Sequence, residues 1–159
     1  YSHKLGDYWL CGGASNAGAG ILRQYFTDQE LVELSAQIDL QMPTDLSYYP
    51  LTSPGERFPV NDPNKKPELE PRSESDVDFL QGILSALTRI EHQGYEKLKL
   101  LGASAPNCIM SCGGGAQNPT WLKMRKQLLG VPVLRARHTQ AAYGAALLAK
   151  QGLSQYIRA

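Results

Sequence analysis

The chain has 159 residues, 16 lysines and arginines against 15 aspartates and glutamates, and a formal charge of +1. That size fits one domain with one core. The balanced charge argues against nucleic acid or an anionic membrane surface as partner, and no apolar run approaches the ~20 residues of a membrane span. The chain does not open on Met and shows no signal-peptide pattern, so it reads as a piece of a longer polypeptide.

Tyr8–Cys11 reads as a strand that runs into Gly12-Gly13-Ala14-Ser15-Asn16-Ala17-Gly18-Ala19-Gly20. Ile21, Leu22, Tyr25 and Phe26 follow at helical spacing. Close packing of a small-residue helix on a sheet would explain this strand–glycine–helix unit, and so would a ligand that needs bare backbone. Thr27-Asp28 opens the next helix, with Asp28 as N-cap and Leu31, Leu34, Ser35 and Ile38 inward. Met42-Pro43 closes it. Residues 43–72 then carry seven prolines and little periodicity, a Pro-rich excursion that is either functional or disordered. Within it Tyr48–Leu51 suits a short strand, 55–59 and 62–64 suit turns, and Arg57 with Asp62 suits a bracing ion pair.

Ser75-Asp76 starts the clearest helix. Val77, Leu80, Leu84 and Leu87 form one stripe and Phe79, Ile83 and Ile90 a second, so it should be buried on two sides. Gly82 suits close approach of a neighbouring helix, and His92-Gln93-Gly94 supplies a stop, with His92 in a surface or capping role. Cys108-Ile109-Met110 is a short buried strand. Gly113-Gly114-Gly115 follow, then Asn118 as N-cap and Pro119 at the first helical position. Val131–Leu134 reads as a short strand, and Pro132 argues for an edge strand or a first position. Arg135-Ala136-Arg137-His138 is either a solvated strand end or a phosphate contact. Thr139 caps a last helix, 140–150, whose alanines and Gly144 permit close backbone contact. The element order is that of an α/β layered domain.

Chemistry concentrates at the two glycine bends. Free N–H groups at a strand–glycine–helix turn favour an anion, usually a phosphate. Neither the P-loop ending Gly-Lys-Ser/Thr nor the Gly-x-Gly-x-x-Gly dinucleotide fingerprint occurs, so a ligand here would be held by backbone and shape. Both bends could close on one ligand from opposite sides. Cys108 and Cys112 would lie about 13 Å apart on an extended strand, beyond the roughly 7 Å a disulfide allows. With Cys11 they read as buried packing residues of a reducing compartment, and no paired Cys/His set points to a metal site.

Four segments together resemble the FGGY family of carbohydrate kinases, in its C-terminal, ATP-binding lobe. They are Gly12–Gly18, Gly55-Glu56-Arg57-Phe58-Pro59-Val60-Asn61-Asp62-Pro63, Gly113–Trp121, and Leu129–Val133 running on to Tyr143–Ala149. The Gly-Gly-Ala-Ser-Asn form, and Trp after Asn-Pro-Thr, look most like the plant and cyanobacterial D-ribulose kinases, often labelled xylulose kinase-like. The resemblance implies a ribonuclease H-like, actin-like lobe with a mixed sheet flanked by helices, its first strands missing, across residues 1–159.

On the matching positions it implies that Gly114, Gly115 and Asn118 border the ribose and α-phosphate side of ATP. Trp121 would line the adenine pocket, with a core role as the other reading, and Gly13 and Gly18 would border the opposite wall. The resemblance further implies MgATP and a pentulose as substrates, a cytoplasmic or plastid-stromal setting, and room for a homodimer. In that family the sugar pocket, the catalytic aspartate and the β- and γ-phosphate loops precede this stretch. None of Asp7, Asp28, Asp39, Asp45, Asp62, Asp76 and Asp78 is expected to be the base, and Gln140 stands where relatives often have Glu. The expected function is the nucleotide half of a pentulose kinase, inactive alone. The alternative is a nucleotide-binding pseudoenzyme or interaction module with the kinase fold. A dinucleotide-dependent oxidoreductase is disfavoured by the absent fingerprint.

Overall fold

The computed structural model describes the backbone of residues 1–156 and the side chains of residues 1–152. It is an α/β arrangement in which two small two-stranded sheets accompany three packed helices. Strand β1 (Ser2–Leu5) pairs antiparallel with β2 (Tyr8–Cys11), Lys4 opposite Trp9. Gly6 turns the hairpin at φ 58°. The sequence reading begins only at β2 and misses β1. Strand β3 (Ile109–Ser111) pairs parallel with β4 (Val133–Arg135), Met110 opposite Leu134. Among the described residues the two sheets are not hydrogen-bonded into one.

Residues Ala19–Gln24 form a 3-10 turn where the spacing suggested a longer helix. Helix α1 (Asp28–Gln37) is capped by Thr27, one residue before the expected Asp28. The Thr27 hydroxyl accepts from Glu30 N, and the Glu30 carboxylate takes Thr27 N, so a capping box satisfies two end donors at once.

Helix α2 (Asp76–Leu100) organises the core. Ser75 caps it by accepting from Asp78 N. Phe79, Leu80, Ile83, Leu84, Ala86 and Leu87 are buried in one cluster that takes in Ile21, Leu22, Phe26, Ile38, Tyr48 and Met124, and Ile90 is buried as well. His92-Gln93-Gly94 does not stop this helix. Gly94 is buried against Phe58, whose ring would stand 3.1 Å from an added Cβ. The helix ends instead at Gly102 (φ 95°), with Ala103 N returning to Leu98 O. Gly82 admits Tyr48 and Leu46 rather than a helix: an added Cβ would lie 2.7 Å from Tyr48 Cε2.

Residues 43–72 form an ordered strap across α2. Tyr49 and Glu68 exchange backbone hydrogen bonds, as do Glu56 and Asp62. The Tyr48 hydroxyl donates to Pro71 O at 2.8 Å. Tyr48–Leu51 is thus a single bridge and not a strand. The expected Arg57–Asp62 ion pair does not form: Arg57 Nε donates to Asn16 Oδ1 at 2.6 Å.

Helix α3 (Pro119–Leu129) packs on α1 and α2 and ends at Gly130 (φ 68°). Its Asn118 N-cap and Pro119 start are as expected. Cys11, Cys108 and Cys112 are all exposed, not buried, because each lies at or just beyond a strand end. Helix α4 (Ala141–Tyr156) is exposed through residue 151, and the close backbone contact expected at Gly144 is not present: an added Cβ there has no described atom within 4 Å.

Candidate functional site

Two clefts adjoin at the glycine bends. One, about 700 Å³, lies between α1 and the turn leading into α3. Its walls include Ala19 and Gly20 from the first bend and Gly114, Gly115, Asn118 and Trp121 from the second. The other, about 630 Å³, lies between the first bend, the end of β3 and the C-terminal half of α2, and includes Gly13 and Gly18. Ala19, Gly115 and Trp121 line both. Residues almost a hundred positions apart are thereby brought to one place.

The glycines divide into two kinds. At Gly13 an added Cβ would stand 2.2 Å from Phe58 Cδ1, and at Gly115 it would stand 2.2 Å from Trp121 Cζ3. These two make room for the domain's own aromatic rings. At Gly18, Gly20, Gly113 and Gly114 an added Cβ would meet nothing within 4 Å. Only Gly113 of these needs the left-handed region, at φ 81°. The bareness of Gly18, Gly20 and Gly114 therefore has no cause in folding that the described residues supply.

The floor of the larger cleft is rigid and neutral. Asn118 Oδ1 accepts from Trp121 N at 3.0 Å and caps α3. Its Nδ2 donates to Ser35 Oγ at 2.7 Å, and Thr120 Oγ1 donates to Ser35 O at 2.8 Å. Ser35 is 3% exposed, so this bracket welds α1 to the start of α3. The sequence reading placed Ser35 on the inner face without seeing its partners, and Thr120 was not singled out. A lone serine among Leu31, Leu34 and Ile38 was the available signal.

Trp121 is half-buried, packs against the core cluster and donates from Nε1 to Thr88 Oγ1 at 3.0 Å. It is both a core aromatic and a cleft wall. The charged side chains of the larger cleft are Arg23 and Asp28, which pair with each other at 3.2 Å on the exposed rim. Such a cleft suits a flat heterocycle and a ribose better than a polyphosphate.

The smaller cleft holds a buried polar bracket. Arg125, 8% exposed, binds Glu91 through two bonds of 2.6 Å, contacts Ser111 Oγ, and lies 5.5 Å from the centre of the Trp121 ring. It ties α2, α3 and β3 together at the second bend. Burial, with Glu91 beside it, pushes the Tyr95 hydroxyl pKa up.

A second carboxylate belongs to the 55–63 segment, where the sequence assigns it no role of its own. Glu56 is 2% exposed and accepts from Ser15, Asn16, Tyr49, Arg57 and Phe58. Burial alone would raise its pKa; the donors outweigh that and hold it below the ordinary carboxylate value. Tyr49 is half-buried and bonded to that carboxylate; desolvation first, and then Glu56 beside it, raise its pKa. Among the described residues no three His, Cys, Asp or Glu side chains come together as a cation site. No described helix is long and apolar enough to cross a membrane.

Residues 1–151 match the family model described as "FGGY family of carbohydrate kinases, C-terminal domain". A xylulose kinase of Bacillus subtilis is 36% identical over 75 residues, 46% of this chain and 15% of that protein. A xylulose kinase of Staphylococcus epidermidis is 26% identical over 168 aligned positions, 98% of this chain and 33% of that protein. The chain thus spans about a third, or less, of the length of these relatives.

Proposed function

The chain belongs to the FGGY family of carbohydrate kinases, and from that premise we propose that it is the nucleotide-binding half of an ATP-dependent sugar kinase. Residues 1–159 would form the C-terminal, actin-like lobe, and the acceptor would be a pentulose such as D-ribulose or D-xylulose. The similarity to xylulose kinases supports a pentulose acceptor; the D-ribulose-kinase-like motifs keep D-ribulose beside it.

The observation that carries the reading is the cleft walled by open glycines. Adenine and ribose fit a neutral slot bounded by Gly20, Gly114, Asn118 and Trp121. At Gly20 and Gly114 no described residue accounts for the missing side chain, and a ligand lying on bare backbone would. The bracket of Asn118, Thr120 and Ser35 holds the slot open before ligand arrives, so little ordering has to accompany binding. Backbone N–H groups of the second bend and the α3 N-terminus favour the α-phosphate end.

The acidic, histidine and cysteine side chains described do not cluster as a cation site. Mg²⁺ would therefore be held by the nucleotide's phosphates and by residues outside this chain, where it would neutralise developing charge. Proton removal from the sugar hydroxyl likewise falls outside this chain. Asp28 and Asp76 are engaged with Arg23 and Arg72, and Asp62 accepts from Asn64 N in a turn. What these residues do is bind and orient the nucleotide so that the transferring group meets the acceptor in line.

Calorimetry of the full-length protein tests this. MgATP should bind with 1:1 stoichiometry, and a coupled assay should show phosphorylation of a ketopentose. Absence of nucleotide binding in the intact protein would overturn the reading.

A further inference from the structure

The nucleotide reading leaves Glu56 without a task, yet this residue is built at some cost. A carboxylate that is 2% exposed, with no cation paired to it among the described ion pairs, persists only because its charge is met by donors. Oε1 accepts from Asn16 N at 2.7 Å, from Arg57 N at 2.8 Å and from Phe58 N at 3.4 Å. Oε2 accepts from the Ser15 hydroxyl at 2.7 Å and the Tyr49 hydroxyl at 3.0 Å. Around it, Asn16 Nδ2 donates to Gly55 O at 2.9 Å and Arg57 Nε returns a bond to Asn16 Oδ1 at 2.6 Å. Ser15 Oγ also accepts from Ala17 N at 2.9 Å.

These bonds converge on one short stretch. Residues 15–17 lie inside a bend that carries Gly12, Gly13, Gly18 and Gly20. A run so poor in side chains has high conformational entropy and little of its own to pack. Backbone bonds hold its ends, Gly12 N to Tyr1 O and Ile21 N to Gly18 O. The middle is latched from outside, by a carboxylate some forty residues away on the strap. The bend then passes directly into Gly18, which is open, and Ala19, which lines both clefts.

We propose that Glu56 is a positioning residue for the nucleotide: through Ser15 and Asn16 it fixes the bend that leads through Gly18 to present Ala19 and Gly20 to the larger cleft. This rests on the nucleotide-binding reading above. Loosening the latch makes the ligand order the bend on binding, so the effect falls on nucleotide affinity and not on the sugar.

The two hydroxyls on Oε2 separate positioning from mere stability. Ser15 is on the bend; Tyr49 is on the strap. In the full-length protein, Glu56→Ala should raise the MgATP Kd about ten-fold, with the sugar KM within about two-fold of wild type. Glu56→Gln should restore most of the affinity, because its amide oxygen can take the backbone donors while its NH₂ donates to Ser15 and Tyr49. Ser15→Ala should weaken MgATP binding, whereas Tyr49→Phe should lower only the melting temperature. If Glu56→Ala does not fold, the Ser15→Ala and Tyr49→Phe pair decides. Wild-type nucleotide binding that Gly114→Val weakens but Ser15→Ala leaves unchanged would overturn the positioning role alone. Wild-type protein that binds no nucleotide, or binds it indifferently to Gly114→Val, would remove the underlying reading and this proposal with it.

Discussion

Replacing Gly114 by valine separates ligand from fold more cleanly than any other single change. An added Cβ there meets no atom within 4 Å, and the residue is not among those with positive φ. The backbone can therefore carry valine without strain, and the branched side chain projects into a cleft of about 700 Å³. A nucleoside lying on the bend would bury on the order of 100 Å² against it, worth about 2.5 kcal/mol at ~25 cal/mol per Å². Valine holds the ligand off by more than an ångström, which forfeits about half to all of that contact. The MgATP Kd should rise about 10- to 70-fold. Melting temperature should stay within about 2 °C of wild type, since no native contact is disturbed. Calorimetry of the intact protein measures the first quantity and differential scanning the second. Unchanged affinity in a folded mutant would refute the argument that this glycine is bare for a ligand's sake.

The neighbouring glycine should behave in the opposite way. Gly115→Ala would drive a methyl to 2.2 Å from Trp121 Cζ3 and should cost about 1–3 kcal/mol of stability, read as a lowered melting temperature; an unchanged melting curve would contradict the close packing. Trp121→Phe removes the 3.0 Å bond to Thr88 and should destabilise by about 1 kcal/mol in chemical denaturation. It should also shrink any tryptophan fluorescence change on MgATP binding, because Trp121 lines both clefts and Trp9 lines neither. Acid should weaken the Glu56 latch. Its pKa is lowered on folding from an ordinary value of 4.5, so its stabilisation is complete above that value and is lost as pH falls through the folded pKa. The stability gap between wild type and Glu56→Gln should be constant near neutrality and shrink below pH 4.5; a gap that widens on acidification would reverse the sign argued here.

Patterns set by neighbours in sequence were legible; those set by distant partners were not. The stripe on α2, the inner face of α1 and the Asn118-Pro119 start of α3 depend on helical spacing and capping, which are local. The stop at His92–Gly94 failed because Gly94 answers to Phe58, thirty-six positions earlier, and not to its own helix. The Arg57–Asp62 pair failed because Asn16 was the nearer acceptor once the strap folded. At the site, the glycines were conspicuous, but their division into ring-facing and open ones depends on where Phe58 and Trp121 come to rest. Glu56 had no periodicity to mark it. Its meaning comes from five donors that no spacing rule assembles.

The most direct measurement is a crystal structure of the full-length protein with a non-hydrolysable ATP analogue. The account predicts adenine and ribose seated between Ser35 of α1 and the turn 113–121, in van der Waals contact with Gly114 and Trp121. A nucleotide bound elsewhere, with that cleft empty, would contradict it.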